Sequence, residues 1–148
     1  LHLSIRRQRQ MCIRDRMRRE GYPIKDIPAG RDRVLRLLTT TLESEKGRWI
    51  LSAHDQSGQE VQVSGYRNGR WVHRYLDRTF VADGAYWIPD WKTAECPEGM
   101  DVDTFLQMIA SRYRPKMEEY RSAVIDAGIQ LPVKPCLYLP AVDRFLEL

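Results

Sequence analysis

The chain has 148 residues, of which 43% are hydrophobic and 30% charged, and its formal net charge is +4. This length suits one modest domain, and the composition is typical of a soluble globular protein. No apolar run is long enough to span a bilayer, so we expect a cytoplasmic protein with no membrane partner. Cys96 and Cys136 lack metal-ligand spacing, as expected of a reduced chain.

The first sixteen residues resemble a translated laboratory sequence. Residues 1–16 read LHLSIRRQRQMCIRDR, which back-translates into a transposon-type sequencing adapter. The alternative is a natural basic arm that binds nucleic acid or a membrane. This segment holds five arginines and one aspartate, so residues 17–148 carry 19 basic and 19 acidic side chains. We therefore expect 1–16 to be a disordered or non-native artefact, 17–148 to be a truncated C-terminal domain, and the basic pI to say nothing about nucleic acid.

A loop and one helix are predicted before the sheet. Residues 21–30 contain two prolines and two glycines, which favour a loop. From residue 31 the apolar side chains recur at helical spacing, which predicts a helix that Gly47 ends. These side chains are Val34, Leu35, Leu37, Leu38 and Leu42. Residues 49–51 then form a short apolar anchor, and residues 54–58 a polar turn.

Three consecutive strands are predicted next, joined by two hairpin turns. Residues 60–66 alternate between apolar and polar, and Asn68-Gly69 is a favoured hairpin turn. Residues 70–82 and 85–93 flank the second turn, Asp83-Gly84. We expect an antiparallel three-strand meander. Both faces of its last two strands carry apolar side chains, so both are expected to be covered. One face would hold Leu76, Phe80, Trp87 and Trp91; the other would hold Asp77, Val81, Ile88, Asp90 and Lys92.

Two helices and a further strand are predicted to close the domain. Asp101 or Asp103 caps the first helix. Pro115 separates it from a second helix, which Gly128 ends. The apolar run within residues 135–140 predicts the last strand.

The candidate site follows from the second hairpin turn. If Asp83-Gly84 is a two-residue loop, Ala82 pairs with Ala85 and Asp77 lies opposite Asp90. Facing carboxylates repel, and a divalent cation between them is the usual reason to keep them. Lys92, two residues beyond Asp90, projects from the same face. Taken singly, each of these side chains is more often part of a solvated face.

Carboxylate oxygens suit Mg²⁺, with Mn²⁺ as a substitute. Such an ion polarises a scissile phosphate and lowers the pKa of a bound water. The lysine would orient that water or stabilise the negative charge that develops on the phosphate. The predicted layout is that of a metal-dependent nuclease.

Residues 76–81 and 87–93, which read LDRTFV and WIPDWKT, resemble the RecB-type PD-(D/E)XK nuclease domain. More narrowly, they resemble the C-terminal nuclease of UvrD/AddA-type (exonuclease V-like) helicases. Residues 112–115 leading to Tyr120, and the strand at 137–140, are similar to that family's next helix and strand. The resemblance implies a restriction-endonuclease-like α/β core. It also implies a DNA nuclease of a helicase–nuclease that processes DNA ends in recombinational repair.

The same resemblance assigns roles to individual residues. It implies Asp77 and Asp90 as metal ligands and Lys92 as the catalytic lysine. It implies Tyr120 as a tyrosine near DNA, with Lys116 and Arg114 as DNA-binding neighbours; the alternative for Tyr120 is a core aromatic at helical spacing. The implied partners are DNA and a second helicase–nuclease subunit, with ATP bound only at a helicase motor that this sequence lacks.

The sequence departs from the family pattern at four points. Lys116 stands where the family usually has glutamine, and Trp91 replaces a tyrosine. Pro89 precedes Asp90, which removes a ladder hydrogen bond and suggests a sheet edge or bulge. The family's metal-ligand histidine has no counterpart among the three histidines, which are His2, His54 and His73. A catalytically degenerate DNA-guiding or subunit-docking module is therefore the alternative function.

Overall fold

The computed structural model describes residues 2–67 and 70–148 and has an α/β fold with a five-stranded mixed sheet. None of the described helices is long and apolar enough to cross a membrane. Residues 2–16 lie within the first helix; their origin in an adapter stays a prediction. The elements are α1 (His2–Arg19), a 3₁₀ turn (Ile24–Asp26), α2 (Ile27–Glu43), α3 (Glu45–Leu51), β1 (Asp55–Arg67), β2 (Arg70–Ala82), β3 (Ala85–Trp91), α4 (Val102–Asp126), β4 (Val133–Leu139) and β5 (Arg144–Glu147).

The sheet has the strand order β1-β2-β3-β4-β5. The first three strands form the predicted antiparallel meander, and β4, the predicted last strand, lies parallel to β3. Parallel neighbours need a long crossover connection, which α4 provides here. Strand β5 adds an antiparallel edge that the sequence pattern did not predict. The predicted Asn68-Gly69 turn lies outside the described residues.

Strand β1 begins earlier than predicted. Residues 54–58 were expected to form a polar turn, but the strand starts at Asp55. The register with β2 shifts between Asp55 and Gly58, which marks a bulge. Gln56 has a φ of +47°. A bulge leaves an extra residue unpaired. The polar residues that predicted a turn therefore lie in this bulge, within the strand.

The Asp83-Gly84 turn is confirmed, but the ladder beside it is shorter than expected. Both turn residues have positive φ, +50° and +70°, and Ala82 pairs with Ala85. Positive φ at both positions is the type I′ geometry of tight hairpins. The β2–β3 pairs end at Phe80 and Trp87. The predicted Asp77–Asp90 pair is therefore wrong, because the strands separate before they reach it.

Pro89 explains where the strands separate. Strand β3 is central in the sheet, yet beyond Trp87 it pairs only with β4. The Tyr86 and Lys92 amides donate to carbonyls at the two ends of β4, Pro132 O and Tyr138 O. Backbone direction alternates along a strand, so the nitrogen of Pro89 faces the β2 side. The suggested sheet edge is wrong, because β3 is the central strand and Pro89 is buried; the β2–β3 pairs end at Trp87, so the missing N–H lies beyond that ladder.

Gly47 does not end a helix, contrary to the prediction. Helix α2 stops at Glu43, and Ser44 caps α3 by accepting a hydrogen bond from the Gly47 amide at 3.2 Å. A Cβ at Gly47 would lie 2.1 Å from the Thr41 carbonyl oxygen. The glycine is therefore needed because the two helices approach here backbone to backbone.

Helix α4 is continuous, whereas two helices separated by Pro115 were predicted. Asp101 caps its start by accepting from the Thr104 amide, and Gly128, with a φ of +98°, follows its end. A proline within a helix costs about 3 kcal/mol. Buried side chains on both sides of Pro115 offset this cost by packing on the sheet. They are Phe105, Leu106, Ile109, Met117, Tyr120, Ala123 and Val124.

Both faces of the sheet are covered, as predicted. One core lies under α4, and its strand residues include Leu76, Ile88 and Leu137. The other lies under α3 and includes Phe80 and Trp87. Leu76 was assigned to the same face as Phe80, and this assignment is wrong. The two side chains fall in different cores, so the alternation of β2 is interrupted between them, around Asp77.

Candidate functional site

Asp90 is a buried carboxylate near the end of the central strand. It is 3% exposed and lies on the α4 side of β3. A buried carboxylate is costly unless positive charge or hydrogen bonds compensate it. Two lysine ammonium groups do so, one on each carboxylate oxygen.

Lys92 is the more deeply placed of the two lysines. It follows β3 directly, and its backbone amide donates to Tyr138 O at 2.9 Å. Its ammonium donates to Asp90 Oδ2 and lies 4.6 Å from the centre of the Tyr113 ring. Burial lowers the pKa of Lys92, the charge of Lys116 lowers it further, and Asp77 opposes both effects. The lysine is held in place from the strand, from α4 and from the carboxylate.

Lys116 reaches the same carboxylate from α4. Its Nζ donates to Asp90 Oδ1 at 3.3 Å and lies 5.0 Å from the centre of the Tyr120 ring. The side chain is 45% exposed, against 14% for Lys92. Lys116 is thus a half-solvated cation on an almost fully buried anion.

Asp77 lies on the exposed side of this cluster. It belongs to β2, beyond the point where that strand leaves β3. Its side chain is exposed, and its charge acts on Lys92. Asp90 contacts Lys92 directly, whereas Asp77 acts on Lys92 through its charge, and the two aspartates are not cross-strand partners.

The helix residues predicted to meet DNA occupy different depths. Arg114 is exposed on α4, and Lys116 is half exposed. Tyr120 is 6% exposed and packs in the core beneath α4. It is therefore a core aromatic, which was the alternative to a role near DNA. Sequence reasoning missed Tyr113, whose ring lies against the ammonium of Lys92. Tyr113 is three residues before Lys116, and this helical spacing could have placed the two side chains on the same face of α4.

The fit of the site to a divalent cation depends on its carboxylates. Mg²⁺ is commonly held by one or two carboxylates and keeps several waters, and Asp90 is the buried carboxylate here. Among the described residues, no three His, Cys, Asp or Glu side chains are grouped so as to hold a metal. Both oxygens of Asp90 already contact ammonium groups. A cation at Asp90 would have to displace one of them.

His54 and His73 lie away from Asp90, as expected. The Nε2 atom of His54 lies 2.6 Å from Trp49 O, and its ring stacks on the ring of Phe80 with the ring centres 4.1 Å apart, in the core under α3. His73 contacts Ser64 Oγ at 2.7 Å on the exposed strand surface. These contacts give both rings structural surroundings rather than a place beside Asp90.

Arg78 is a buried charge on the opposite side of the sheet, and sequence reasoning missed it. It is 6% exposed and donates to the carbonyls of Ile50 and Ser52, at 2.7 and 2.8 Å. These carbonyls end α3, where helices leave acceptors unsatisfied. Arg78 therefore fastens α3 to the sheet.

No family model matches this chain. Over 78 residues it is 31% identical to one subunit of an ATP-dependent helicase/nuclease from Heliobacterium modesticaldum. The match covers 52% of this chain and 6% of that protein. The chain thus spans a small fraction of the length of this relative, and the similarity is to a helicase/nuclease subunit.

Proposed function

We propose that residues 17–148 are a nuclease domain of the PD-(D/E)XK type, belonging to a helicase–nuclease that processes DNA ends in recombinational repair. The observation that carries the proposal is the buried carboxylate of Asp90 in contact with Lys92, a lysine on which the charge of the exposed Asp77 also acts. The order of helix, three-strand meander, helix and parallel strand supports a restriction-endonuclease-like core. The similarity to a helicase/nuclease subunit supports the same proposal.

The reaction is hydrolysis of a phosphodiester bond. Asp77 and Asp90 would hold Mg²⁺, or Mn²⁺ in its place. When bound, the ion polarises the phosphate and lowers the pKa of the attacking water. Lys92, which the carboxylate of Asp90 and the ring of Tyr113 position, donates hydrogen bonds to that water or to the phosphate oxygen that gains charge.

DNA would pass along α4. Arg114 is exposed, and half of the Lys116 side chain is in solvent, so both can reach backbone phosphates. Tyr120 supports Lys116 from below through its ring rather than by stacking on a base. In the whole protein, a second subunit would be the partner, and ATP would bind at the motor region outside this sequence.

The deciding experiment measures Mg²⁺-dependent degradation of end-labelled single- and double-stranded DNA by the full chain. We expect Asp90→Asn and Lys92→Ala each to lower the rate by about a thousandfold, the scale of lost metal or electrostatic catalysis. Glu43→Gln, an exposed carboxylate at the end of α2, should leave the rate unchanged. An equal rate in wild type and Asp90→Asn would overturn the proposal.

One observation favours the second candidate, a degenerate DNA-guiding or subunit-docking module. Both carboxylate oxygens of Asp90 are paired with lysine ammonium groups. In this case the chain would bind DNA through Arg114 and Lys116 and would not bind Mn²⁺. Calorimetric titration with Mn²⁺ separates the two candidates: heat of binding that Asp90→Asn removes supports the nuclease, and DNA affinity without metal binding supports the module.

A further inference from the structure

We propose that Lys116 is a displaceable counter-ion of Asp90, which competes with the divalent cation for one carboxylate oxygen and so sets the metal affinity of the site. The inference rests on the proposed function, because it assumes that Asp90 is a metal ligand.

The first step is that one ammonium must leave before Asp90 can ligate a metal. Each carboxylate oxygen has an ammonium partner, and a divalent cation cannot share an oxygen closely with a like charge at low cost. The two ammonium groups together compensate the negative charge of the Asp90 carboxylate. Metal binding is therefore an exchange of cations rather than a simple addition.

Lys116 is the ammonium that leaves Asp90 when the metal binds. Its side chain is 45% exposed, so its ammonium remains largely hydrated when the contact breaks. Its contact with Asp90 is 3.3 Å long, at the far end of a flexible side chain. When Lys116 leaves, the carboxylate of Asp90, which is 4% exposed, keeps the ammonium of Lys92 as its partner, so the exchange costs less than removal of the buried lysine would.

Lys92 is the group that stays. It is 14% exposed, it also donates to the carbonyl of Trp91 at 3.3 Å, and its ammonium lies over the ring of Tyr113. Moving it would expose an unpaired charge inside the protein, which is far more costly. The two lysines on one carboxylate thus have different roles: Lys92 is fixed and Lys116 is exchangeable.

The test is calorimetric titration of the metal-free full chain with Mn²⁺, comparing wild type with Lys116→Gln. We expect the variant to bind Mn²⁺ about tenfold more tightly, because a competing cation is removed. Lys116→Ala should tighten binding similarly. Thermal unfolding without metal verifies that each variant is folded.

The chain contains a closely matched control, Lys134→Gln. Lys134 donates to Glu147 at 3.2 Å, is 42% exposed and lies 4.7 Å from the centre of the Trp87 ring. Its substitution removes the same charge from a similar ion pair away from Asp90. We expect the Mn²⁺ affinity of this variant to equal that of the wild type.

The outcomes separate this inference from the proposed function. Binding that Asp90→Asn removes, with equal affinity in wild type and Lys116→Gln, would overturn the competition and leave the nuclease proposal standing. A gain in Lys134→Gln equal to that in Lys116→Gln would also overturn it, because net charge alone would then account for the effect. No Mn²⁺ binding by wild type, Lys116→Gln or Lys116→Ala would overturn the metal site itself and the inference with it.

Discussion

The two faces of the sheet each bury a charged side chain, but they compensate it in opposite ways. Under α3, the guanidinium of Arg78 donates to backbone carbonyls that cannot move away without unwinding a helix. Under α4, the carboxylate of Asp90 is compensated by side chains, one of them half in solvent. A charge compensated by backbone is suited to hold a fold together, whereas one compensated by a mobile side chain can accept a ligand. We therefore expect the α3 face to respond to mutation mainly in stability and the α4 face mainly in function.

The largest effect on stability is expected from Phe80→Ala. Phe80 is fully buried, lies edge-on to Trp49 with the ring centres 5.2 Å apart, and stacks on His54. Loss of such a ring typically costs about 3–5 kcal/mol in the free energy of unfolding. Urea unfolding measures this loss. The control Tyr75→Ala, whose side chain is 63% exposed, should change it by less than about 0.5 kcal/mol; similar losses in both variants would contradict the assignment of the α3 core.

Arg78→Met tests the structural role of the buried guanidinium. The substitution leaves the carbonyls of Ile50 and Ser52 without their donor, and we expect a loss of roughly 2–3 kcal/mol in the free energy of unfolding. The Mn²⁺ affinity of the folded variant should not change. A change in Mn²⁺ affinity without a loss of stability would contradict the structural role assigned to Arg78 and to the α3 face.

Gly47→Ala tests how tightly α3 is seated on α2. The new Cβ would meet backbone, the Thr41 carbonyl oxygen at 2.1 Å, and overpacking of this kind costs about 1–3 kcal/mol. Gly30→Ala is the matched control, because its Cβ would meet only the end of the Met17 side chain, which can rotate away. Differential scanning calorimetry should show a lower melting temperature for Gly47→Ala alone. Equal melting temperatures would mean that the close approach of the helices is not maintained.

The smallest effect on stability is expected at the α4 face. Lys116→Gln removes one of the two ammonium partners of Asp90, whose carboxylate is 4% exposed and keeps its contact with Lys92, and should lower the free energy of unfolding by about 1 kcal/mol or less in metal-free buffer. Urea unfolding beside Arg78→Met gives the comparison directly. A loss as large as that of Arg78→Met would show that Lys116 is part of the structural framework rather than an exchangeable cation.

Local pattern was sufficient to predict several elements and the contact between Asp90 and Lys92. The Asp83-Gly84 turn, the meander, the strand at β4 and the helix end at Gly128 follow from turn chemistry and apolar spacing. Asp90 and Lys92 were predicted to share a face because side chains two residues apart on a strand do so, and their contact confirms it. These features depend on interactions between residues that are close in the chain.

Long-range packing decided the features that were predicted wrongly. Pro115 stays inside α4 because the buried face of that helix offsets the lost backbone hydrogen bond. Gly47 lies within α3 because two helix backbones meet there. Asp77 and Asp90 are not paired because β2 leaves β3 after Phe80, a point that no hairpin rule contains.

The sequence alone therefore determined the three-strand meander, strand β4 and the shared face of Asp90 and Lys92, since propensity, turn chemistry and side-chain alternation act over a few residues. The tertiary structure alone decided which charges meet. Lys116, 26 positions from Asp90 in the chain, reaches its carboxylate only because α4 crosses over the end of β3. The same crossover leaves that lysine half in solvent while it buries Asp90, because a helix covers a strand with one face and turns its flank to water.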